Sequence, residues 1–234
     1  MSVEICNLSK KYKRHQALSS VSFTVNDHEI AAFLGPNGAG KSTTLKIIGG
    51  FLTPDSGRVR INGADFLKNS NEIKKTIGYL PENNPLYPEM YVTEYLEYAA
   101  GMYRLGKNTK SAVERVIEET GLYLEHTKKI GQLSKGYKQR VGLAQAIIHD
   151  PSVLLLDEPT TGLDPNQSIE IRNLIKTLGE NRSILFSTHN LHEAAFLCKH
   201  ILVIDKGRIV ADDDFETLTK NESLESVFTA LTVK

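Results

Sequence analysis

A chain of 234 residues with 28 Lys and Arg against 28 Asp and Glu carries no net charge, so no global field draws it to nucleic acid or to an anionic membrane surface. It is long enough to bury a substantial core as one large α/β domain, or as one domain with a subdomain. Its two cysteines, Cys6 and Cys198, stand far apart without metal-ligand spacing, which argues against a disulfide framework and for a reducing cytosol.

Met1 to Cys6 has no basic run leading into an apolar segment, so no signal peptide is expected. The longest apolar runs, such as Val153–Leu156 and Ile201–Ile204, are strand-sized and too short to cross a bilayer. A membrane role would need spanning helices from a partner.

Ser2–Leu8 and Val21–Val25 alternate apolar with polar residues, which predicts antiparallel strands with one solvated face. Between them, Ser9–His15 is a basic segment around one aromatic, Tyr12, which standing alone reads first as a packing residue. Asp27–Glu29 turns the chain into the apolar run Ile30–Leu34, then GPNGAGKST (Gly35–Thr43), then the helical pattern Leu45–Ile48. Strand, glycine-rich loop and helix are the context that a phosphate-binding loop requires. Through Gly35, Pro36, Asn37, Gly38, Ala39 and Gly40 the backbone can curl and aim its N–H groups at an anion, because three of these residues lack Cβ. Lys41 adds a point charge for the β- and γ-phosphates, Ser42 a hydroxyl for Mg²⁺, and the helix opening at Thr43 the positive end of its dipole. A nucleoside triphosphate is the expected ligand, and the absence of an Asn-Lys-x-Asp motif disfavours GTP.

Thr53–Gly57 is a turn cluster, Arg58–Gly63 a strand with its turn, and Ile77–Leu80 a short strand ending in the proline-rich loop 81–88. Composition then shifts. Thr93–Leu105, capped by Thr93, and Lys110–Thr120 predict amphipathic helices, and Lys138–His149 a third that stops at Asp150–Pro151. Residues 85–150 thus read as a helical insert in an α/β framework. That framework resumes with Val153–Leu156, a strand buried on both faces, and continues with a helix at Asn166–Leu178, a strand at Ser183–Ser187, a helix at Leu191–Cys198 and a strand at Ile201–Ile204. This alternation predicts a mainly parallel sheet. Lys206–Gly207 turns into Arg208–Ala211, and 212–234 reads as a short polar tail with one helix over Leu224–Leu231.

Asp157-Glu158 closes the most hydrophobic strand, where a carboxylate is costly unless a cation or hydrogen bonds compensate it. Beside a phosphate loop, Asp157 would hold Mg²⁺ directly or through water, and Glu158 would deprotonate a water aimed at the γ-phosphate. Without the loop, the pair would only mark a strand end turning into Pro159. His189 follows Ser187-Thr188 at another strand end; in parallel sheets ligands sit beyond such ends, so it would share one rim with Asp157 and the loop. His149 and His192 read as helix-surface or capping residues. Leu133-Ser134-Lys135-Gly136-Tyr137 offers a hydroxyl and a helix start: a second anion site in outline, or an ordinary N-cap.

GPNGAGKST, LSKGYKQR, VLLLDEP, TTGLDP and STHN, in this order, resemble the ATP-binding subunit of an ABC transporter over nearly the whole chain. The stretches IGYLPENNPLYPEMYVTEYLEYAAGMYRLG, LSKGYKQRVGLAQAIIHDP and DEPTTGLDPNQ are similar to the small subunits of ABC-2 type exporters associated with gliding motility. The resemblance implies an α/β P-loop NTPase with a RecA-like core, an N-terminal antiparallel β subdomain and an inserted helical subdomain carrying the signature.

It implies that Tyr12 stacks on adenine, that Gly35–Thr43 hold the phosphates, and that Asp157 and Ser42 serve Mg²⁺ with Glu82. Glu158 would be the catalytic base, assisted by Lys41 and by His189 as the γ-phosphate switch. Ser134 and Gly136 would close over the ATP of a second copy in a head-to-tail dimer, with Asp164 between the two sites. The implied partner is a polytopic membrane permease, faced by 82–91, and the implied place is the cytoplasmic face of the membrane. No nucleic acid is expected. Glu82 stands where the family commonly has glutamine, and LSKGY where it has LSGGQ. The function so implied is ATP hydrolysis driving transport, in the export direction; the alternative is a soluble ABC-type ATPase acting on ribosomes or DNA.

Overall fold

A computed structural model describes residues 3–66 and 70–233; Ser2 of the first expected strand and Lys234 of the tail lie outside them. Two sheets and a set of helices form two adjoining cores.

The first sheet is antiparallel. β1 (Val3–Tyr12) pairs with β2 (His15–Val25) and with β4 (Ser56–Ile61), which in turn pairs with the short β5 (Ala64–Asp65). Its strands alternate as their pattern predicts: Val3, Ile5, Val21, Phe23, Val25, Val59 and Ile61 are buried, while Ser22, Thr24, Arg58 and Arg60 face water. The basic segment expected as a connector is instead the tip of the β1–β2 hairpin. Tyr12 pairs directly with His15 across Lys13-Arg14, and Lys13 supplies the left-handed residue of the turn with φ 52°.

The second sheet has six strands in the order β10-β9-β3-β8-β7-β6. β3 (Ile30–Leu34), β6 (Ile77–Leu80), β7 (Val153–Asp157), β8 (Ser183–Thr188) and β9 (His200–Asp205) are parallel, and β10 (Arg208–Asp214) closes the edge antiparallel to β9. Both faces are covered, which is why these strands are apolar throughout rather than alternating. Ala31, Phe33, Leu155, Leu185 and Leu202 point into a core shared with the antiparallel sheet and α1 (Lys41–Ile48). Ala32, Leu34, Leu154, Leu156, Phe186 and Val203 point into a core closed by helices on the other face. Each such fully buried Leu or Phe contributes about 1.5–3 kcal/mol.

Those helices are α3 (Val92–Met102), α4 (Thr109–Glu119) and α5 (Lys135–Ile147) between β6 and β7, then α6 (Pro165–Leu178), α7 (Leu191–Leu197) and α9 (Leu224–Thr232). The short α2 (Ser70–Lys74) and α8 (Phe215–Leu218) complete the set among the described residues; α2 and β5 have no counterpart in the sequence reading.

Several local expectations shift. Thr93 does not cap α3: the helix begins at Val92, the Glu94 carboxylate accepts from Tyr91 N at 3.2 Å, and the Thr93 hydroxyl donates to His126 O at 2.9 Å. Tyr98 and Met102 of α3 are apolar in type yet exposed. α5 begins at Lys135 rather than Lys138, because Ser134 caps it by accepting from Tyr137 N at 3.4 Å. The tail is less polar than it reads. Asp212–Asp214 extend β10, and Phe215, Leu218, Phe228 and Leu231 lie against the helical-side core. His149 is no surface or capping residue: its Nε2 lies 3.0 Å from Ile77 O and its ring stacks on Tyr103 at 3.7 Å.

Candidate active site at the carboxyl rim of the parallel sheet

The loop after β3 runs through Gly38 (φ 81°) and Gly40 (φ 113°), both in the left-handed region where a Cβ would be strained. Gly35 serves differently: a Cβ there would lie 2.4 Å from Ile204 O, so the loop lies tight against β9 only because that side chain is missing. Lys41, the first residue of α1, folds back into the loop; its buried Nζ donates to Gly35 O at 2.7 Å and Pro36 O at 3.3 Å. Tyr12, His15, Ala17, Gly38, Gly40, Lys41, Ser42 and Thr43 line one cleft of about 210 Å³. The hairpin tip and the phosphate loop, two strands apart in sequence, thus face a common space, and the half-exposed Tyr12 ring is available to a flat ligand.

β7 ends at the same rim. Asp157 is buried, and its Oδ1 accepts from Ser42 Oγ at 2.9 Å and from Ser187 Oγ at 2.6 Å. These bonds satisfy a carboxylate that the strand would otherwise leave uncompensated. A hydroxyl and a carboxylate oxygen at this spacing are the donors that Mg²⁺ takes from protein when substrate phosphates and water supply the rest of its octahedron. No group of three His, Cys, Asp or Glu side chains able to hold a metal ion occurs among the described residues, so an all-protein cage is not what the rim provides. The residues present fit a phosphate-bound Mg²⁺.

Glu158 leaves the strand with φ 49°, a left-handed conformation that turns its side chain back over the rim. The buried carboxylate is held from three directions: His189 Nδ1 at 2.8 Å, the Thr161 hydroxyl at 3.2 Å and Lys41 Nζ at 3.5 Å. Because it is pinned at fixed geometry beside the loop, it can orient and deprotonate a water there. Glu158 also forms part of the walls of two further clefts. One, of about 220 Å³, includes His189, Asn190, Thr161 and Gly162; the other, of about 380 Å³, includes Glu82, Lys135, Lys138 and Gln139.

The structure therefore brings together Tyr12, the loop residues Gly38 to Thr43, Asp157, Glu158 and His189. Glu82 is exposed at the mouth of the larger cleft, near enough for its charge to act on Tyr79. Ser134 and Asp164 are exposed N-caps of α5 and α6 and line none of the loop's cleft. Gly136, in the first turn of α5, is buried; a Cβ there would press on the Gln167 side chain at 3.0 Å, so its smallness lets α5 approach α6.

Sequence reasoning missed the supports. The Ser187 hydroxyl donates to Asp157 and accepts from Glu158 N at 3.1 Å, locking the two carboxylate residues to β8. Glu193, buried in α7, accepts from the Thr160 hydroxyl and from Thr188 Oγ1 at 2.8 Å, tying the turn after Glu158 to the loop that carries His189. A carboxylate on the inward face of a short helix was the available signal. His15 and Tyr79 were missed as well.

Fold and site together define a phosphate-loop nucleotide hydrolase, and comparison with known proteins makes the class specific. The sequence pattern of the family described as ABC transporter matches residues 18–161. YxlF of Bacillus subtilis (strain 168), named an uncharacterized ABC transporter ATP-binding protein, is 39% identical over 233 residues, 99% of this chain and 77% of the relative. The bacitracin transport ATP-binding protein BcrA of Bacillus licheniformis is 37% identical over 220 residues, covering 93% and 71% of the two chains. A solved ATP-binding cassette, dimeric in a post-hydrolysis state with ADP and Pi bound, superposes with TM-score 0.81 at 28% identity over 91% of this chain and 98% of that one. The chain belongs to the ABC transporter family, as an ATP-binding and ATP-hydrolysing subunit.

Proposed function

We propose that two copies close head to tail on two ATP molecules and that closure and hydrolysis drive export through a separate membrane subunit. The observation that carries this reading is the division of the site. The loop's cleft holds Tyr12, Lys41 and Ser42, while Ser134 and Asp164 sit exposed on other parts of the surface. A second copy would bring those residues to the phosphates.

In this reading Tyr12 stacks on adenine and Gly35 to Thr43 cradle the phosphates, with Lys41 on the β- and γ-phosphates. Ser42, Asp157 and Glu82 would hold Mg²⁺, which would supply positive charge against the phosphate oxygens. Glu158 takes the proton from the attacking water, and His189, bonded to Glu158 at 2.8 Å, contacts the γ-phosphate. Residues 85–150 act as the inserted helical unit, and 82–91 faces the membrane partner with the exposed rings of Tyr87 and Tyr91. The chain would sit on the cytoplasmic face of the membrane through that partner. The shared LSKGY and IGYLPENNPLYPEMYVTEYLEYAAGMYRLG stretches support a place among exporters of the type associated with gliding motility. No helix among the described residues is long and apolar enough to span a bilayer, which suits a subunit carried by a polytopic partner.

The test is the Glu158→Gln chain. With ATP it is expected to elute as a dimer, to hydrolyse about 10²–10⁴-fold more slowly, and to bring a polytopic protein with it from native membranes. A monomer under ATP overturns the sandwich, and ribosomes or DNA in place of a membrane protein would favour the soluble alternative.

A further inference from the structure

Beside Asp157 stands a group that the roles above leave unused. Tyr79 lies on β6 opposite Leu155 of β7. Side chains alternate along a strand, so Leu155 and Asp157 project from the same face of the sheet, and Tyr79 projects there with them. The ring is anchored against Phe51 at 4.9 Å, which sends the hydroxyl toward the strand end. The hydroxyl oxygen is shut off from solvent and has no hydrogen-bond partner among the described residues. Burial first, then the Asp157 charge and the nearness of its carboxylate to the hydroxyl, raise its proton affinity; the two groups are close but not aligned in a formed hydrogen bond. A buried, unpaired hydroxyl is rare enough to call for an explanation.

Asp157 has the capacity to supply one. A carboxylate offers about four lone-pair positions, and the two hydroxyl bonds from Ser42 and Ser187 both fall on Oδ1. We propose that Tyr79 is a positioning residue of the metal site: its hydroxyl donates to Asp157 and holds the carboxylate plane for a hydrated divalent cation on the nucleotide. Ser42 and Asp157 already stand 2.9 Å apart, so a small rotation of the carboxylate is enough to close the bond. This rests on the placement of the metal between Ser42 and Asp157.

The experiment titrates Mn²⁺ into the full chain with a non-hydrolysable ATP analogue and reads bound ion by electron paramagnetic resonance. It compares wild type, Tyr79→Phe and Asp157→Asn, with analogue affinity in EDTA and thermal midpoint measured in parallel. Tyr79→Phe keeps the ring on Phe51 and removes only the donor. It is expected to weaken Mn²⁺ binding about 3–10-fold, the loss of one modest hydrogen bond, with analogue affinity in EDTA and thermal midpoint unchanged. Equal Mn²⁺ affinity in wild type and Tyr79→Phe, with Asp157→Asn weakened, overturns the role of Tyr79 alone. Wild type and Asp157→Asn binding Mn²⁺ alike, or wild type binding none, overturns the metal placement itself and this proposal with it.

Discussion

The rim around Asp157 and Glu158 and the helix ends at Ser134 and Asp164 differ in how much of their chemistry is satisfied within one chain. At the rim Lys41, Asp157 and Glu158 are buried and cross-bonded: Lys41 to the loop carbonyls, Asp157 to two serines, Glu158 to His189 and Thr161. At the helix ends the two caps face water, and their side chains make the local bond that starts each helix, Ser134 to Tyr137 N and Asp164 to Gln167 N at 2.9 Å. The rim is preorganised, with its side chains already where charge would develop. The helix ends are a surface that needs something brought to it. Damage at the first should therefore abolish chemistry in each chain, and damage at the second should spare nucleotide binding by a single chain while impairing what two copies do.

The strongest break of this contrast is Lys41→Ala. It removes the cation from the loop and leaves Glu158 buried without its nearest positive partner. Turnover is expected to fall by about 10³-fold or more, with ATP affinity falling in the same titration. Normal activity would sink the phosphate-loop assignment. Ser134→Ala tests the other side. The cap bond is worth about 1 kcal/mol, so the thermal midpoint should drop slightly and analogue binding at low protein concentration should not change. Turnover under dimer-forming conditions should fall by about 10²-fold, the loss of one donor to the transferring phosphate. If Ser134→Ala instead weakens binding by the isolated chain, the division between a complete rim and an incomplete cap fails.

The same contrast explains what could be read without coordinates. Gly35 to Thr43 is legible because phosphate binding constrains residue types at consecutive positions, and Asp157-Glu158 because two acids after Val153–Leu156 violate the burial pattern of the strand. The membership of the rim follows from parallel topology, which puts the ends of β3, β7 and β8 side by side. Ser187 and Thr161 were not legible, because a hydroxyl in a strand end or turn looks the same whether it bonds a catalytic acid or water. Gly136 shows a related ambiguity. Glycine permits both unusual backbone and close approach, and the Gln167 side chain above it shows that close approach is one of its needs. The α3 start misled because Thr93 and Glu94 are both plausible capping chemistry, and the choice was made by His126 from a distant loop. The tail read as polar because Phe215, Leu218, Phe228 and Leu231 are spaced among charges, and their common side appears only when α8 and α9 turn toward the core.

The smallest expected effect sharpens the comparison by leaving both regions alone. His149, just past the end of α5, packs against the start of β6 and lines none of the site clefts, and burial lowers its pKa to about 4. Its Nε2 lies 3.0 Å from Ile77 O, and its buried Nδ1 has no partner among the described residues. A ring that donates through Nε2 therefore keeps Nδ1 as a bare lone pair, and protonation there would bury an unpaired charge. The unfolded chain binds this proton near pH 6.5 and the folded one near 4, so the unfolded state holds more protons in between. Stability is then unaffected above the unfolded value, falls as pH drops from about 6.5 toward 4, and levels off below. The shift corresponds to about 3 kcal/mol at full burial, and partial exposure of the ring reduces this to about 1–2 kcal/mol. His149→Gln keeps a donor for Ile77 O and cannot titrate. In urea melts across this window the variant should lose less stability than the wild type on acidification, with nucleotide affinity at neutral pH equal in both. Parallel pH profiles would show that the His149 ring protonates without cost, and that the junction between the helices and β6 is open to water.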